Sequence, residues 1–273
     1  MPLAMETAKA LPPLPPLLKG RRSALPATLW LRHYSPADLS WSPRLSKNHG
    51  EASIELHVWC AGWAELRARG AQWNSYLASD EQTRAGRFLR AQDAERYRLG
   101  RGWLRRLLGH YLNARPELLR LKYGRHGKPY VLESGVPSSL HFNVAHSGAL
   151  LLVALGRHRA LGVDLEKQRA NVDCNALVQR FFSCRERTAF FALPAQLRGE
   201  AFFRAWTCKE ACLKALGTGL AAALNAFEIA LAPQAAPRLR AGSTEEDASG
   251  RWLLHSWTPR SGYAAALAMV RSF

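Results

Sequence analysis

The feature that most constrains this chain is an order of elements run through twice. From Ile54, a strand-like run to Trp59 is followed by helical spacing between Ser79 and Asn113. Strand-like runs then come near Leu118–Tyr123, Leu140–Val144 and Ala149–Leu155. The second pass opens on Leu161–Glu166, has helical spacing between Asn175 and Leu216, and closes on runs near Phe227–Leu231, Trp252–Trp257 and Tyr263–Val270. Corresponding elements stand about 105 to 115 residues apart, far beyond a solenoid period, so a duplicated domain is expected from element order, with little residue identity between the halves. Helices in both passes begin on a capping-box pattern, Ser79-Asp80-Glu81-Gln82 and Ser183-Cys184-Arg185-Glu186. Between them, Tyr97, Trp103, Leu104, Leu107, Leu108, Tyr111 and Leu112 recur at helical spacing and should face a core.

A length of 273 residues and a hydrophobic fraction of 48% exclude general disorder and allow a sizeable core. No apolar run approaches the roughly 18 to 20 residues of a membrane span, and Gly148–Gly156 reads as a buried strand. Residues 1–50 hold eight of the fifteen prolines and only Glu6 and Asp38 as acids, so an extended or disordered segment is expected, with Trp30, Leu31 and Trp41 free to dock on the body.

The net charge of +17 calls for an anionic partner: nucleic acid, a membrane surface, a polyphosphate cofactor or an acidic protein. Zinc-finger spacing, an aromatic ribonucleoprotein motif and a basic-region zipper are all missing from the sequence, which argues against a dedicated nucleic-acid binder. Between Arg84 and Lys128 thirteen Arg and Lys face three acids, which concentrates the charge in the first half. Solvated helix faces would account for most of them. Cys60, Cys174, Cys184, Cys208 and Cys212 form no C-x-x-C pair, so reduced thiols in a cytoplasm are expected, with Cys208 and Cys212 as core packing.

The stretch Trp206-Thr207-Cys208-Lys209-Glu210-Ala211-Cys212-Leu213-Lys214-Ala215-Leu216-Gly217 reads as a helix stopped by glycine. Glu210 and Lys214 share one face, Trp206 anchors the core, and Lys209 points off that face toward solvent. Upstream, Asp164 and Glu166 alternate on a strand and so project from one side. Three converging carboxylates suit Mg²⁺, and a neighbouring Lys suits phosphates. Equally, Glu210 with Lys214 reads as a surface pair and Asp164 with Glu166 as a solvated strand edge.

Gly162-Val163-Asp164-Leu165-Glu166, then Trp206-Thr207-x-Lys209-Glu210-Ala211-x-x-Lys214, resembles the paired signature of the 4′-phosphopantetheinyl transferases, in particular the longer type similar to the surfactin-synthetase activator. Tyr123-Gly124-Arg125-His126-Gly127-Lys128-Pro129, Phe142-Asn143-Val144-Ala145-His146-Ser147 and Arg180-Phe181-Phe182-Ser183 fall in the family's order as well.

The resemblance implies an α+β fold of two similar α/β halves about a pseudo-twofold axis, in a monomer with the cleft inside one chain. Residues 51–157 would be the coenzyme A phosphate and adenine side, and 158–273 the metal and catalytic side. The activity implied is Mg²⁺-dependent transfer of the phosphopantetheine arm of coenzyme A to a serine of an apo acyl or peptidyl carrier protein, in fatty-acid, polyketide or nonribosomal-peptide synthesis, with release of adenosine 3′,5′-bisphosphate. Neither nucleic acid nor membrane is implied. Asp164, Glu166 and Glu210 would hold Mg²⁺, and Glu210 and Lys214 would act in catalysis. Arg84, Arg125, Lys128, Asn143, His146 and Lys214 would bind coenzyme A, with Arg96 a further cation. Two positions depart from the family pattern: Glu81 stands where a second Lys is common, and Ala145 where a serine is. The rival reading is a non-catalytic basic protein that binds nucleic acid or acidic proteins.

Overall fold

The computed structural model describes residues 28–34, 53–217, 224–231, 237, 239–241 and 252–270, the first of these by its backbone alone. The chain runs β1 (Thr28–Tyr34), β2 (Ser53–Gly62), α1 (Trp63–Arg67), α2 (Gly70–Ser75), α3 (Ser79–Gly86), α4 (Ala91–Leu112), β3 (Arg120–Tyr123), β4 (Pro129–Glu133), β5 (Val136–Pro137), β6 (Leu140–Ser147) and β7 (Leu150–Arg157). It continues through β8 (Leu161–Lys167), α5 (Cys174–Phe181), α6 (Cys184–Phe191), α7 (Ala195–Leu216), β9 (Phe227–Ile229), β10 (Leu239–Ala241), β11 (Trp252–Trp257) and β12 (Tyr263–Val270). The fold is α+β, as expected.

Strand order is β1-β2-β7-β6 in one sheet and β11-β12-β8 in another, with small sheets β3-β4-β5 and β10-β9. β7 and β12 are paired on both sides and buried on both faces, and the burial of both faces is why their sequences are continuous apolar runs instead of alternating ones. The two main sheets bury Leu56, Leu152 and Ala154 from one against Val163, Leu165 and Leu267 from the other. A second core lies under α4 (Trp59, Trp73, Trp103, Phe142), and a third wraps α7 (Phe190, Phe202, Cys208, Ala211).

Where β6 meets β8 the sheets are joined by side chains. Asn143 Oδ1 accepts from the Val163 N–H at 2.9 Å, and Ser147 Oγ accepts from the Lys167 N–H at 3.0 Å. Nearby, Tyr263 Oη accepts from the Ala149 N–H at 2.9 Å. These bonds satisfy main-chain donors that a continuous ladder would otherwise have used.

One expectation takes a definite form and another needs correction. Residues 28–34, expected to be extended or disordered, are extended: they form β1, which pairs in parallel with β2 from Thr28 opposite Ser53 to Tyr34 opposite Trp59. The rest of residues 1–50, with Trp41, lies outside the described residues. Ser183 does cap α6 reciprocally with Glu186, but α3 is capped from Ala78, one residue earlier than expected. Alanine offers no side-chain acceptor, so only half of a box forms there, with the Ala78 N–H donating to Glu81 Oε2 at 3.0 Å. Among the described residues no helix is long and apolar enough to cross a membrane.

Candidate functional site

Residues of β8 alternate, and the alternation builds the site. Leu161, Val163 and Leu165 face the core between the sheets, so Gly162, Asp164 and Glu166 face α7. At Gly162 a Cβ would collide with the main chain of Ala211 and Ala215, so only glycine lets α7 lie against the strand here. That contact brings Glu210 and Lys214, one turn apart, over the strand acids. Gly217, at φ 68°, ends the helix, as its sequence position predicts.

Lys214 Nζ donates to Asp164 Oδ1 at 2.7 Å. Asp164 is 5% exposed, and its other oxygen, Oδ2, is buried with no hydrogen-bond partner, as is Glu210 Oε1. Burial pushes the Asp164 carboxyl up against the pull of Lys214. Glu166 is raised by burial too, although Ser147 Oγ donates to its Oε2 at 2.9 Å. The Glu210 carboxyl is pushed up to about 7, first by burial, then by the charge of Asp164, with Lys214 opposing and Glu166 adding. Three carboxylates therefore act on one another, with a single lysine beside them. They do not close into a ligand cage: among the described residues no three His, Cys, Asp or Glu side chains form a group able to hold a metal ion.

A cleft of about 390 Å³ opens next to this cluster, lined by Trp63, Phe88, Arg96, Tyr97, Arg101 and His146, among others. His146 sits edge-on to Trp63 at 6.0 Å between centroids, and Arg96 lies over the same indole at 5.7 Å. Although the imidazole reaches solvent, partial desolvation, then Lys214 and Arg96, hold it below its usual range. His146 thus lies between the carboxylate cluster and the basic wall of the cleft. At the other end Phe88 packs on Tyr97, and Arg84 and Arg101 lie over the Tyr97 ring at 5.6 and 5.7 Å. Tyr97 Oη and Arg101 Nη1 are buried there without partners.

The expected site residues divide into two sets. Asp164, Glu166, Glu210 and Lys214 come together, His146 feels Lys214 and lines the cleft with Arg96, and Arg84 lies over Tyr97 of the same cleft. Arg125 is exposed in the turn between β3 and β4. Asn143 is 6% exposed and spends its oxygen on Val163, which ties it to the seam between the sheets. Lys128 does not offer its ammonium to the cleft: Nζ donates to Leu161 O (2.8 Å), Lys214 O (2.6 Å) and Ala215 O (3.2 Å). A lysine has three donors, and all are used.

Lys209, expected in solvent, is 0% exposed. Nζ pairs with Glu186 Oε2 at 2.9 Å and donates to Leu224 O at 2.7 Å, with Phe182 beside it. Glu81 is also interior, paired with Arg105 Nε at 2.5 Å and facing Arg101 Nε at 3.5 Å. The expected loss of a cation at position 81 is therefore a gain of internal structure. Cys208 and Cys212 are buried in the α7 core, and burial pushes both thiols up, that of Cys208 to about 12, as suits packing groups.

Sequence reasoning missed the role of Trp63, Phe88, Tyr97 and Arg101 as cleft walls. Tyr97 at least carried a signal, as the first member of the apolar series on α4.

Known proteins resemble this chain along most of its length. The sequence model described as 4′-phosphopantetheinyl transferase superfamily matches residues 160–268, and the one described as 4′-phosphopantetheinyl transferase, N-terminal, matches 61–157. The chain is 36% identical over 231 residues to the 4′-phosphopantetheinyl transferase HetI of Nostoc sp., covering 85% of this chain and 94% of that protein. It is 31% identical over 170 residues to the 4′-phosphopantetheinyl transferase psf-1 of Bacillus pumilus (62% and 70% covered). To the 4′-phosphopantetheinyl transferase Sfp of Bacillus subtilis it is 27% identical over 157 residues (58% and 67% covered).

Proposed function

This chain belongs to the 4′-phosphopantetheinyl transferase superfamily, and from that premise we propose that it transfers the 4′-phosphopantetheine arm of coenzyme A to a serine of an apo acyl or peptidyl carrier protein. The observation that carries the reading is the Lys214–Asp164 pair beside an unpartnered Glu210 oxygen, with Lys214 acting on His146, which lines a basic, aromatic cleft. A core would not collect three acids, one lysine and two orphaned oxygens without a ligand to repay their desolvation.

In the proposed step the serine oxygen bonds to the β-phosphorus of coenzyme A. The bond from that phosphorus to the oxygen bridging the diphosphate breaks, and adenosine 3′,5′-bisphosphate departs. Glu210 takes the serine proton; without metal its carboxyl is pushed up to about 7 by burial and the neighbouring acids. Lys214 stabilises charge growing on the phosphoryl oxygens, and His146 with Arg96 orients the diphosphate along the cleft. Asp164 Oδ2 and Glu210 Oε1 are orphaned carboxylate oxygens of the kind a hard divalent cation takes, and with Glu166 they would hold Mg²⁺ once drawn closer together than they stand here. Bound there, Mg²⁺ supplies neutralisation of the diphosphate.

The nucleotide end would lie against Trp63, Tyr97, Arg84 and Arg101. The halves 51–157 and 158–273 would be related by a pseudo-twofold, in a cytoplasmic monomer that needs no second copy to complete the cleft. The +17 charge supports docking of an acidic carrier, with an on-rate that falls as salt rises.

The test is incubation with coenzyme A, Mg²⁺ and a panel of apo carriers, read by intact mass. The phosphopantetheine increment on a carrier serine is expected. No increment on any carrier would favour a non-catalytic basic binding protein.

A further inference from the structure

Lys128 belongs to the turn between β3 and β4, which is closed by the Gly124 N–H on Lys128 O and the Gly127 N–H on Gly124 O, both at 2.9 Å. Its side chain leaves that turn and ends on the other part of the molecule, with Leu161 O at the first residue of β8 and Lys214 O and Ala215 O in the last turn of α7. Carbonyls in the last turn of a helix run out of intrahelical donors, and a cation there is favoured by both hydrogen bonding and the helix dipole. The lysine stem passes over the cap: a Cβ at Gly217 would touch Lys128 Cδ at 3.6 Å.

Lys214 is therefore gripped twice, by its carbonyl through Lys128 and by its ammonium through Asp164 Oδ1. Leu161, held by the same ammonium, opens the strand that carries Asp164 and Glu166. We propose that Lys128 is a positioning residue, a latch by which the β3–β4 turn fixes the end of α7 against the start of β8 and so sets Lys214 over the strand acids. The inference rests on the function proposed above for its kinetic consequence, though not for the latch itself.

Burial alone lowers the ammonium to about 8, a desolvation cost that a lysine kept for a solvent-facing phosphate would not carry. A small shift of a catalytic group is enough to matter, since a displacement near 1 Å can cost about 100-fold in rate.

The test is Lys128→Met, alone and combined with Lys214→Ala. Three readings are taken: amide hydrogen exchange at residues 213–217, coenzyme A affinity by calorimetry, and kcat with a carrier protein. The latch predicts faster exchange at the α7 terminus and kcat down roughly tenfold, with coenzyme A affinity within about twofold. It also predicts little further loss when Lys128→Met is added to Lys214→Ala, because both act through the same turn. Unchanged exchange, a coenzyme A affinity loss with kcat kept, or full additivity would each overturn it.

If the wild type transfers nothing to any carrier, the proposed function fails and hydrogen exchange alone decides the latch. Should Lys128→Met not fold, Lys128→Gln, which keeps most of the stem and two weaker donors, is read by the same three measurements at smaller amplitude.

Discussion

Helix α7 carries two lysine–carboxylate pairs within five residues, and they differ in what is left over. Lys209 and Glu186 are both buried, and every oxygen of Glu186 is used: Oε2 by Lys209 and the Ser183 N–H, Oε1 by the Ile229 N–H at 2.7 Å. Lys214 and Asp164 differ: the lysine side chain is 31% exposed, and Asp164 Oδ2 and Glu210 Oε1 are unpartnered. A satisfied pair stabilises a fold. An unsatisfied pair beside a cleft is a place for something else to bind.

The largest effect that could break this comparison is on stability. Lys209→Met strands an ionised Glu186 in the interior and should cost about 3–5 kcal/mol in denaturant unfolding. Lys214→Met should cost less than half as much, because Asp164, already pushed up by burial, can take a proton when its partner goes. Equal losses would erase the distinction between the two pairs. Activity should reverse the ranking: Lys214→Met should lower kcat/KM roughly 100-fold, about 2.7 kcal/mol of transition-state stabilisation.

Gly162→Ala sharpens the comparison from the strand side. It forces α7 away from β8 and should cost about 1–3 kcal/mol of stability, with a loss of turnover beyond what the unfolded fraction explains. A fully active, stable variant would mean that the close approach at Gly162 is not what positions the acids.

The smallest expected effect concerns pH, in metal-free buffer. Between the ordinary value of 4.5 and about 7, native Glu210 keeps a proton that the unfolded chain has released, so its contribution to stability falls as pH rises through that window. Glu210→Gln removes this dependence. At pH 8 the variant should be more stable than wild type by roughly 1 to 2 kcal/mol after allowance for solvent screening, and near parity at pH 4. A variant less stable at pH 8 would place Glu210 in a satisfied environment, like Glu186.

Much of this was legible in the sequence because it rests on short periods. Alternation put Asp164 and Glu166 on one face of β8, four-residue spacing put Glu210 beside Lys214, and the apolar run Gly148–Gly156 marked β7 as a buried strand. The failures have one physical form, in that each depends on what lies across space. Lys209 is off the Glu210–Lys214 face, but α7 is wrapped on several sides, so off-face meant interior instead of solvent. Lys128 sits in a motif that reads as phosphate-binding, and only the fold sets it against the end of α7. Glu81 reads as a missing cation until Arg105 is seen beside it. Residues 28–34 read as extended, but nothing local there names β2 as the partner of β1.

The most direct test of the central claim compares wild type and Glu210→Gln under single-turnover conditions, with phosphopantetheine transfer to an apo carrier followed by mass and coenzyme A affinity measured by calorimetry on the same samples. If the carboxylates and Lys214 perform the transfer, Glu210→Gln loses about 100-fold or more in the rate of transfer while coenzyme A affinity stays within severalfold. A variant that transfers at the wild-type rate, or that loses rate and affinity by the same factor, would contradict it.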